Sequence, residues 1–582
     1  MSKKSKTQKN WIIFILIFGI VLYGFIIVDL FRTQLGINTK SERYSFIPRV
    51  YSNTVPCVRG NILDRNLNNP TILALSKPQW TVFLDPSMIS TNTSDEVLFD
   101  TLNNWGELPT ERINIGLNKN RKSKYYILGK TTNRDFVDFL KTNSVTRLCI
   151  GFEKSQIRQY PLGDFLNPVL GIVNSHEEAL LGIEYEYDEY LSGKPGYIIG
   201  IADARRKELR SFRKTEIKPE NGNDIYLTIS TQIQKFAEDA LLEAMATNNA
   251  KRGWIIVQRP YTGEILAMAS APTFTRENYG EESEELRRNF ATCWNYEPGS
   301  IMKAMIFSLG LNENLYQTNS VFDTTPRLYF GRPLQDHVGN EETYASALAK
   351  SSNRVSSQIA MATTKERSYQ YIKAFGFGEK TGVVKKGEEK GILPNYKKWS
   401  NLQHIRIAIG QGISVTPIQM IGMYSTIANG GVRMQPQLIR EIRAPDGTVI
   451  FKNKPKPIGR VISEKTAKTI SELLIGVTTQ GTGRRAKIPG YTVAGKTGTA
   501  QKSIPGGYST TDYTGSFVGF FPAEDPEITI LVGFDTPLPK YQGGTVAAPV
   551  FSALGKKISD YLNIPTNNDT SHNVYNYIDM NK

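Results

Sequence analysis

Cysteine and histidine are scarce in this chain of 582 residues, and their scarcity excludes several kinds of site. The 3 cysteines and 4 histidines are Cys57, Cys149, Cys293, His176, His337, His404 and His572. So few cysteines allow at most one internal disulfide, which excludes a disulfide scaffold. The histidines are scattered without an H-E-x-x-H pattern, which disfavours a zinc site and a Ser-His-Asp triad. The sequence predicts neither a metal nor a cofactor.

Long apolar runs are equally rare, because residues 11–28 are the only predominantly apolar stretch without a charge that is long enough to cross a membrane. As a helix this stretch would span about 27 Å, close to the thickness of a bilayer core. Lysines precede it, which places residues 1–10 in the cytoplasm and the rest of the chain in the periplasm. A cleaved signal peptide is the alternative, but the run is too long and no small-x-small site follows before Arg32. We expect an uncleaved single-pass anchor in the cytoplasmic membrane.

Internal repeats are also missing, so the chain is not a solenoid or a propeller. Its length predicts roughly three or four structural units.

The net charge of +15 favours an anionic partner or surface, such as phospholipid, a cell-wall polymer or nucleic acid. Charge alone does not choose among these.

The second half of the chain contains clear strand and helix patterns. An alternating run at Ile225–Ile229 predicts a strand and is followed by a helix with apolar residues at helical spacing. Residues 252–270 and 515–535 each predict a hairpin, and 547–562 predicts a closing helix. This order indicates an α+β fold, with one antiparallel sheet covered by helices.

The stretch "GYTVAGKTGTA", residues 490–500, fits two different motifs. Gly490, Gly495, Lys496 and Thr497 match the phosphate-binding pattern G-x-x-x-x-G-K-T, whereas Lys-Thr-Gly alone occurs in penicillin-recognising serine enzymes. The residues before the lysine favour a strand, and no helical pattern follows it, although a phosphate loop requires one. The predicted topology also places this stretch outside the cytoplasm. We therefore predict a strand and no nucleotide site.

A serine nucleophile that has no histidine needs another base, and a lysine three residues later on a helix can supply it. Ser300 and Lys303 in "EPGSIMKAMIFSLGL" have this spacing at a predicted helix start. A routine helix start with an exposed lysine is the alternative, and the pattern recurs at Ser211 and Lys214 in a charged stretch. Lys303 can act as a base only if burial and a nearby cation lower its pKa, and Lys496 could be that cation.

A third element, Ser351-Ser352-Asn353, interrupts a helical stretch. Its hydroxyl could relay a proton and its amide could hold a substrate carbonyl, although a helix cap explains the same residues. Both short motifs recur, at Ser90-Thr91-Asn92 and at Lys380-Thr381-Gly382. The order S-x-x-K, S-x-N and K-T-G is far more specific than any one of them.

In the order of these three motifs, the chain resembles the class B penicillin-binding proteins from about residue 59 to 564, and most closely their septal subgroup. Matching passages include "RGNILDRN", "YEPGSIMKAM", "IGQGISVTPIQM" and "YQGGTVAAPVF". The domains that the resemblance implies are a cytoplasmic N-terminus (1–10), an anchor (11–28), a mixed α/β pedestal of dimerisation type (29–223), a β-lactamase-like transpeptidase domain (224–564) and a polar tail (565–582). Arg59, Gly60, Asp64 and Arg65 match a pedestal motif and would be structural or partner-facing.

The resemblance also implies a reaction and the residues that carry it. Ser300 would attack the carbonyl between the terminal D-alanines of a peptidoglycan stem peptide while Lys303 accepts its proton. Ser351 and Lys496 would lie in the proton path, and Asn353 would position the peptide.

The remaining implied residues lie on the lysine's strand. Thr497 and Thr499 would bind the donor's carboxylate, and the missing side chain of Gly498 would let the peptide approach. Backbone N–H groups of Ser300 and Thr499 would form the oxyanion hole.

The implied partners are stem peptides, β-lactams as covalent inhibitors, a membrane glycosyltransferase and other division proteins, with no nucleic acid and no nucleotide. An elongation-type transpeptidase, a membrane-bound β-lactamase or β-lactam sensor, and a non-catalytic scaffold are alternatives. No class A Glu-x-x-x-Asn occurs between Asn353 and Lys496, which disfavours the hydrolase. The insertion in "DRNLNNPTILA" departs from the usual pedestal motif, so we expect a remodelled turn here.

Overall fold

The computed structural model describes residues 3–34, 49–90, 93–119, 122–202 and 208–567, and these residues form two compact units. The smaller unit comprises the described parts of Met1–Cys57 and Lys194–Glu220, and the larger comprises those of Val58–Gly193 and Asn221–Lys582. The predicted polar tail lies outside the described residues from position 568 onward.

The smaller unit contains the predicted apolar run within one helix, Lys3–Gln34. Its side chains at positions 11–28 are exposed, and it is the one described helix that is long and apolar enough to cross a membrane. A three-stranded antiparallel sheet completes this unit, with the strands Arg49–Val55, Gly196–Ala202 and Thr215–Ile217. A 3-10 turn, Arg210–Phe212, precedes the last strand.

A seven-stranded mixed sheet extends through the N-terminal part of the larger unit. Its path is Val449–Lys452, Ile439–Arg443, Asp224–Leu227, Ile62–Leu63, Ile72–Leu84 and Tyr126–Thr131, and Ile150–Gln159 also pairs with Ile72–Leu84. Ile62–Leu63 pairs in parallel with Asp224–Leu227. This sheet therefore crosses residue 223, where the predicted pedestal ends, and the domain limits stay a prediction.

The helices of residues 58–193 pack mainly beside this sheet and are short. They are Asp95–Asn103, Thr110–Leu117, Arg134–Thr142, Asn167–Leu170, Gly182–Glu186 and Asp188–Leu191, with a 3-10 turn at Pro86–Met88. Asp95–Asn103 and Arg134–Thr142 begin at side-chain caps, Ser94 and Asn133. Such caps satisfy backbone N–H groups that have no partner inside the helix.

A five-stranded antiparallel sheet, here called the central sheet, organises residues 221–567. Its spatial order is Ile265–Ala271, Arg252–Gln258, Ile528–Asp535, Gly507–Phe521 and Ala494–Ile504. Trp254 and Ile256 belong to one core cluster, whereas Ile255 and Val257 belong to another. Alternate side chains of a strand point to opposite faces of its sheet, so these two clusters lie on opposite faces. Both faces of the central sheet are therefore buried.

Eleven helices are described in residues 221–567. They are Thr231–Thr247, Phe290–Cys293, Lys303–Asn312, Tyr344–Ala349, Asn353–Met361, Lys365–Ala374, Asn401–Ala408, Pro417–Ala428, Glu464–Thr479, Gly543–Val546 and Ala548–Leu562. The 3-10 turns are Gly299–Met302, Tyr396–Lys398 and Arg484–Ala486. The remaining strands form three pairs: Val321–Asp323 with Glu341–Thr343, Leu328–Tyr329 with Arg332–Pro333, and Val432–Met434 with Pro457–Arg460.

The predicted α+β fold is confirmed, and the differences lie at element ends. The strand predicted at Ile225–Ile229 is observed at Asp224–Leu227, and the closing helix begins at Ala548. The strand predicted over residues 491–500 is observed at Ala494–Ile504. Here Gly490, with φ +85°, forms a turn in which Tyr491 bridges back to Ile488, so the strand starts later.

Candidate active site

Ser300 lies in the 3-10 turn Gly299–Met302, which continues directly into the helix Lys303–Asn312. The helix predicted from Ser300 therefore begins with a tighter turn, in which the Lys303 N–H donates to the Ser300 carbonyl. Residues three apart are nearly eclipsed in such a turn, so both side chains share one face. Ser300 is half-buried and Lys303 is completely buried.

The Lys303 ammonium contacts the predicted S-x-N element. Nζ donates to the Ser351 carbonyl at 2.6 Å, to Ser351 Oγ at 3.1 Å and to Asn353 Oδ1 at 2.7 Å. Burial lowers the pKa of Lys303 to about 7, and the negative charge of Asp336 acts in the opposite direction. Near neutral pH a substantial fraction of Lys303 is therefore neutral and able to accept a proton.

The two serines of the S-x-N element have different roles. Ser352 caps the helix Asn353–Met361, because its Oγ accepts from Val355 N–H. Ser351 has φ +64°, a left-handed conformation that non-glycine residues adopt infrequently. The cap that could have explained the motif thus belongs to Ser352, while Ser351 and Asn353 face Lys303.

Lys496 is completely buried on the outermost strand of the central sheet. Burial, followed by the charge of Lys303, lowers its pKa well below the usual range. The sequence suggested that a cation at Lys496 lowers the pKa of Lys303, whereas burial is the main cause at both residues. A positive charge on Lys303 therefore makes protonation of Lys496 less favourable.

The residues after Lys496 lie in different environments. Thr499 is exposed and its Oγ1 accepts from Gly543 N–H at 3.2 Å, whereas Thr497 is buried with its hydroxyl 2.6 Å from Thr482 Oγ1. A Cβ atom at Gly498 would lie 3.2 Å from the Pro298 carbonyl oxygen and too close to Ser516 Oγ. The missing side chain therefore lets the Ser300 turn approach the strand, and the expected role of Gly498 in admitting a peptide stays a prediction.

The competing motif matches have structural explanations. After Lys496 the chain continues as a strand to Ile504, so the helix that a phosphate loop requires is not formed. Lys380-Thr381-Gly382 lies in a turn whose Thr381 and Gly382 N–H groups donate to Glu388. Ser211 belongs to the smaller unit. Thr91 and Asn92 of the other S-x-N match lie outside the described residues.

Three groups that support the Ser300 turn were not singled out from the sequence. The Gly299 N–H donates to the Gly410 carbonyl at 3.0 Å, and Gly410 has φ +79°. A Cβ at Gly410 would collide with Gly299. Tyr424 OH donates to the Ile301 carbonyl at 2.9 Å, and Glu297 accepts from Gly412 N–H at 3.0 Å. The paired glycines in "IGQG" are the only local signal for this support.

The chain is similar to known proteins over most of its length. A family profile described as the penicillin binding protein transpeptidase domain matches residues 253–556. A second, described as the penicillin-binding protein dimerisation domain, matches residues 54–227. The predicted boundary near residue 223 lies just before residue 227, where the match to the dimerisation domain ends.

Curated and solved relatives agree with these profiles. Stage V sporulation protein D of Bacillus subtilis is 32% identical, over 94% of this chain and 85% of the relative. Peptidoglycan D,D-transpeptidase FtsI of Escherichia coli is 29% identical, over 87% of this chain and 84% of the relative. A crystal structure of penicillin binding protein 3 from Mycobacterium tuberculosis, complexed with aztreonam, is 27% identical with a TM-score of 0.68, covering 88% of this chain and 98% of that one.

Proposed function

Because this chain belongs to the class B penicillin-binding proteins, we propose that it is a peptidoglycan D,D-transpeptidase whose acyl-enzyme forms on Ser300. The observation that carries the assignment is the buried Lys303, whose Nζ contacts Ser351 and Asn353 and lies on the face of Ser300. No other described copy of S-x-x-K combines these features, since Lys214 is exposed.

These positions support the reaction that the family resemblance implies. Ser300 Oγ attacks the carbonyl carbon between the two terminal D-alanines of a stem peptide, and neutral Lys303 accepts the hydroxyl proton. The C–N bond breaks, the departing D-alanine nitrogen takes a proton, and an ester to Ser300 remains. An amine of a neighbouring stem peptide then attacks this ester and restores the serine hydroxyl.

The other residues serve this sequence of steps. Ser351 Oγ and Lys496 pass protons between Lys303 and the departing or attacking nitrogen, and Asn353 holds the peptide. The strand Ala494–Ile504 is an edge of the central sheet, along which an extended peptide can add as a further strand. Thr497 and Thr499 bind the donor's carboxylate there. Backbone N–H groups of Ser300 and Thr499 stabilise the oxyanion.

The nucleophile is tested by intact-mass measurement after incubation with benzylpenicillin. We expect one stable adduct on the wild type and none on Ser300→Ala. Ser211→Ala is the matched control, because it removes the serine of the other S-x-x-K and should leave the adduct intact. An undiminished adduct on Ser300→Ala would contradict the proposed nucleophile. Rapid release of hydrolysed antibiotic would instead favour the β-lactamase alternative.

We assign the enzyme to septal wall synthesis because "EPGS" and "GGTVAAPVF" resemble the septal subgroup. In this role it acts beside a membrane glycosyltransferase and other division proteins, since the family does not polymerise glycan. A fluorescent fusion should concentrate at midcell during division. Distribution along the side wall would favour the elongation-type alternative.

The helix Lys3–Gln34 anchors the enzyme in the cytoplasmic membrane with its N-terminus inside. The lysines at its start support this orientation through the positive-inside bias. In intact spheroplasts, external protease should digest the region after residue 34 and leave an N-terminal epitope tag protected. Loss of the tag would reverse the assigned topology.

A further inference from the structure

The segment between the strands Val321–Asp323 and Glu341–Thr343 carries a carboxylate, Asp336, beside the Ser351–Asn353 turn. Asp336 Oδ2 accepts from Ser352 Oγ at 2.7 Å and from the Arg354 N–H at 2.8 Å. Both donors belong to the start of the helix Asn353–Met361. Free N–H groups and the helix dipole favour a negative charge at this end, so the contact fixes the carboxylate and the turn together.

The residue before Asp336 orients the amide of Asn353. Asn353 Nδ2 donates to the Gln335 carbonyl at 2.8 Å, while Asn353 Oδ1 accepts from Lys303 Nζ at 2.7 Å. An amide has one accepting and one donating side, so the bond to Gln335 turns the oxygen toward the lysine. The segment therefore determines which atom of Asn353 faces Lys303.

The same contacts hold Ser351 in its infrequent conformation. A non-glycine residue with positive φ persists only where its surroundings impose it, and Ser351 has φ +64°. Lys303 binds Ser351 on one side through its carbonyl and hydroxyl, and Asp336 holds the following Ser352 on the other. Release of Asp336 would leave one side of this turn unsupported.

Asp336 also acts on the charge of Lys303. Among the described residues, the charged groups coupled to Lys303 are Asp336, which raises its pKa, and Lys496, whose own pKa Lys303 lowers. Arg354, although adjacent to the turn, directs its guanidinium to the Thr324 carbonyl. Asp336 is thus the negative charge that offsets the burial of the lysine.

We propose that Asp336 is a positioning residue of the acylation reaction, which holds the Ser351–Asn353 turn against Lys303 and balances the charge of that lysine. The proposal rests on Ser300 acylation, the function proposed above. It gives the Asp336 segment a part in positioning the catalytic groups, although none of the segment's described contacts is with Ser300. The carboxylate sets the pH at which Lys303 becomes a base.

The test compares pH–rate profiles of acylation by a fluorescent penicillin in the full-length wild type and Asp336→Asn. Asparagine can still accept from Ser352 and Arg354 but has no charge, so Lys303 should lose its proton at lower pH. We expect the midpoint to move down by roughly half a pH unit, about threefold in rate on the acid limb. Asp336→Ala should also lower the plateau rate, because the turn loses its hydrogen bonds.

Glu341→Gln is the matched control, because it removes one exposed negative charge from the end of the same segment. Its profile should superimpose on that of the wild type. The proposal would be overturned if the Asp336→Asn profile also superimposed on the wild-type profile while a thermal unfolding transition showed that the variant is folded. A wild type that forms no adduct would instead refute the proposed function, so the two failures are distinguishable.

Discussion

Lys303 illustrates how burial changes the chemistry of a residue. It has no exposed surface, and burial lowers its pKa to about 7. A lysine on an open helix face would remain protonated at neutral pH and could not accept the serine proton. The spacing of Ser300 and Lys303 is visible in the sequence, whereas this property depends on what covers the side chain.

The pH dependence of wild-type acylation follows from that pKa. In the proposed reaction Lys303 acts in its neutral form, so the acylation rate should rise about tenfold per pH unit well below pH 7 and level off above it. Stopped-flow measurement with a chromogenic β-lactam between roughly pH 5 and 9 checks this. Lys303→Arg should be inactive throughout, because a guanidinium stays charged. A flat wild-type profile would contradict a titrating lysine base.

At the scale of elements, the close approach of the Ser300 turn to the strand Ala494–Ile504 is central to the site. Gly498 permits this approach, because a Cβ there would meet Ser516, Ile301 and Pro298. On the other side, Gly410 lies against Gly299. Gly498 and Gly410 therefore set the position of Ser300 between the strand and the "IGQG" loop.

Gly498→Ala should displace the strand from the turn. We expect the free energy of unfolding to fall by about 1–3 kcal/mol and the acylation rate to drop. The measurements are chemical denaturation and penicillin binding on one preparation.

Gly422→Ala is the control. Gly422 lies in the helix Pro417–Ala428, and a Cβ added there has no neighbouring atom within 4 Å outside its own helix backbone. Alanine there should stabilise by about 0.5–1 kcal/mol. Unchanged acylation in Gly498→Ala would refute the steric account.

The N-terminal helix is the element for which a truncation gives a direct prediction. A chain lacking residues 1–34 should move from the membrane fraction to the soluble fraction, because the apolar side chains at 11–28 are exposed. Immunoblotting after ultracentrifugation measures the shift. Persistence of the truncated chain in the membrane would show that other surfaces also bind it.

At the scale of the whole molecule, buried ion pairs hold distant parts of the segment 58–193 together within the larger unit. Glu184 is completely buried and accepts from Arg59 Nε at 2.8 Å and Arg158 Nε at 2.6 Å. Arg158 also donates to the Gly60 carbonyl, and Thr231 donates to Asp64. The "RGNILDR" passage is thus structural at Arg59 and Asp64, one of the two roles that the resemblance allowed.

Glu184→Gln should leave the largely buried Arg158 without its carboxylate and Arg59 paired with the partly exposed Asp188. The expected loss is about 3–5 kcal/mol in the free energy of unfolding, measured by chemical denaturation. Glu178→Gln removes an exposed carboxylate nearby and should change stability little. The described partners of Glu184 are Arg59, Arg158 and Tyr160 and none belongs to the Ser300 turn, so the folded fraction should acylate at the wild-type rate. A small stability change would mean that the arginines find other partners.

The sequence by itself determined the apolar N-terminal helix, the hairpins of the central sheet and the positions of the S-x-x-K, S-x-N and K-T-G motifs. These depend on local spacing: an apolar run, period-two alternation, and a serine three residues before a lysine. Tertiary structure decided which copies of each motif meet, because Lys303 and Ser351 are 48 residues apart and their contact forms only after folding. It alone identified Asp336 and the steric role of Gly498. A carboxylate or a glycine has no periodic pattern, and its effect depends on the distant backbone that packs against it.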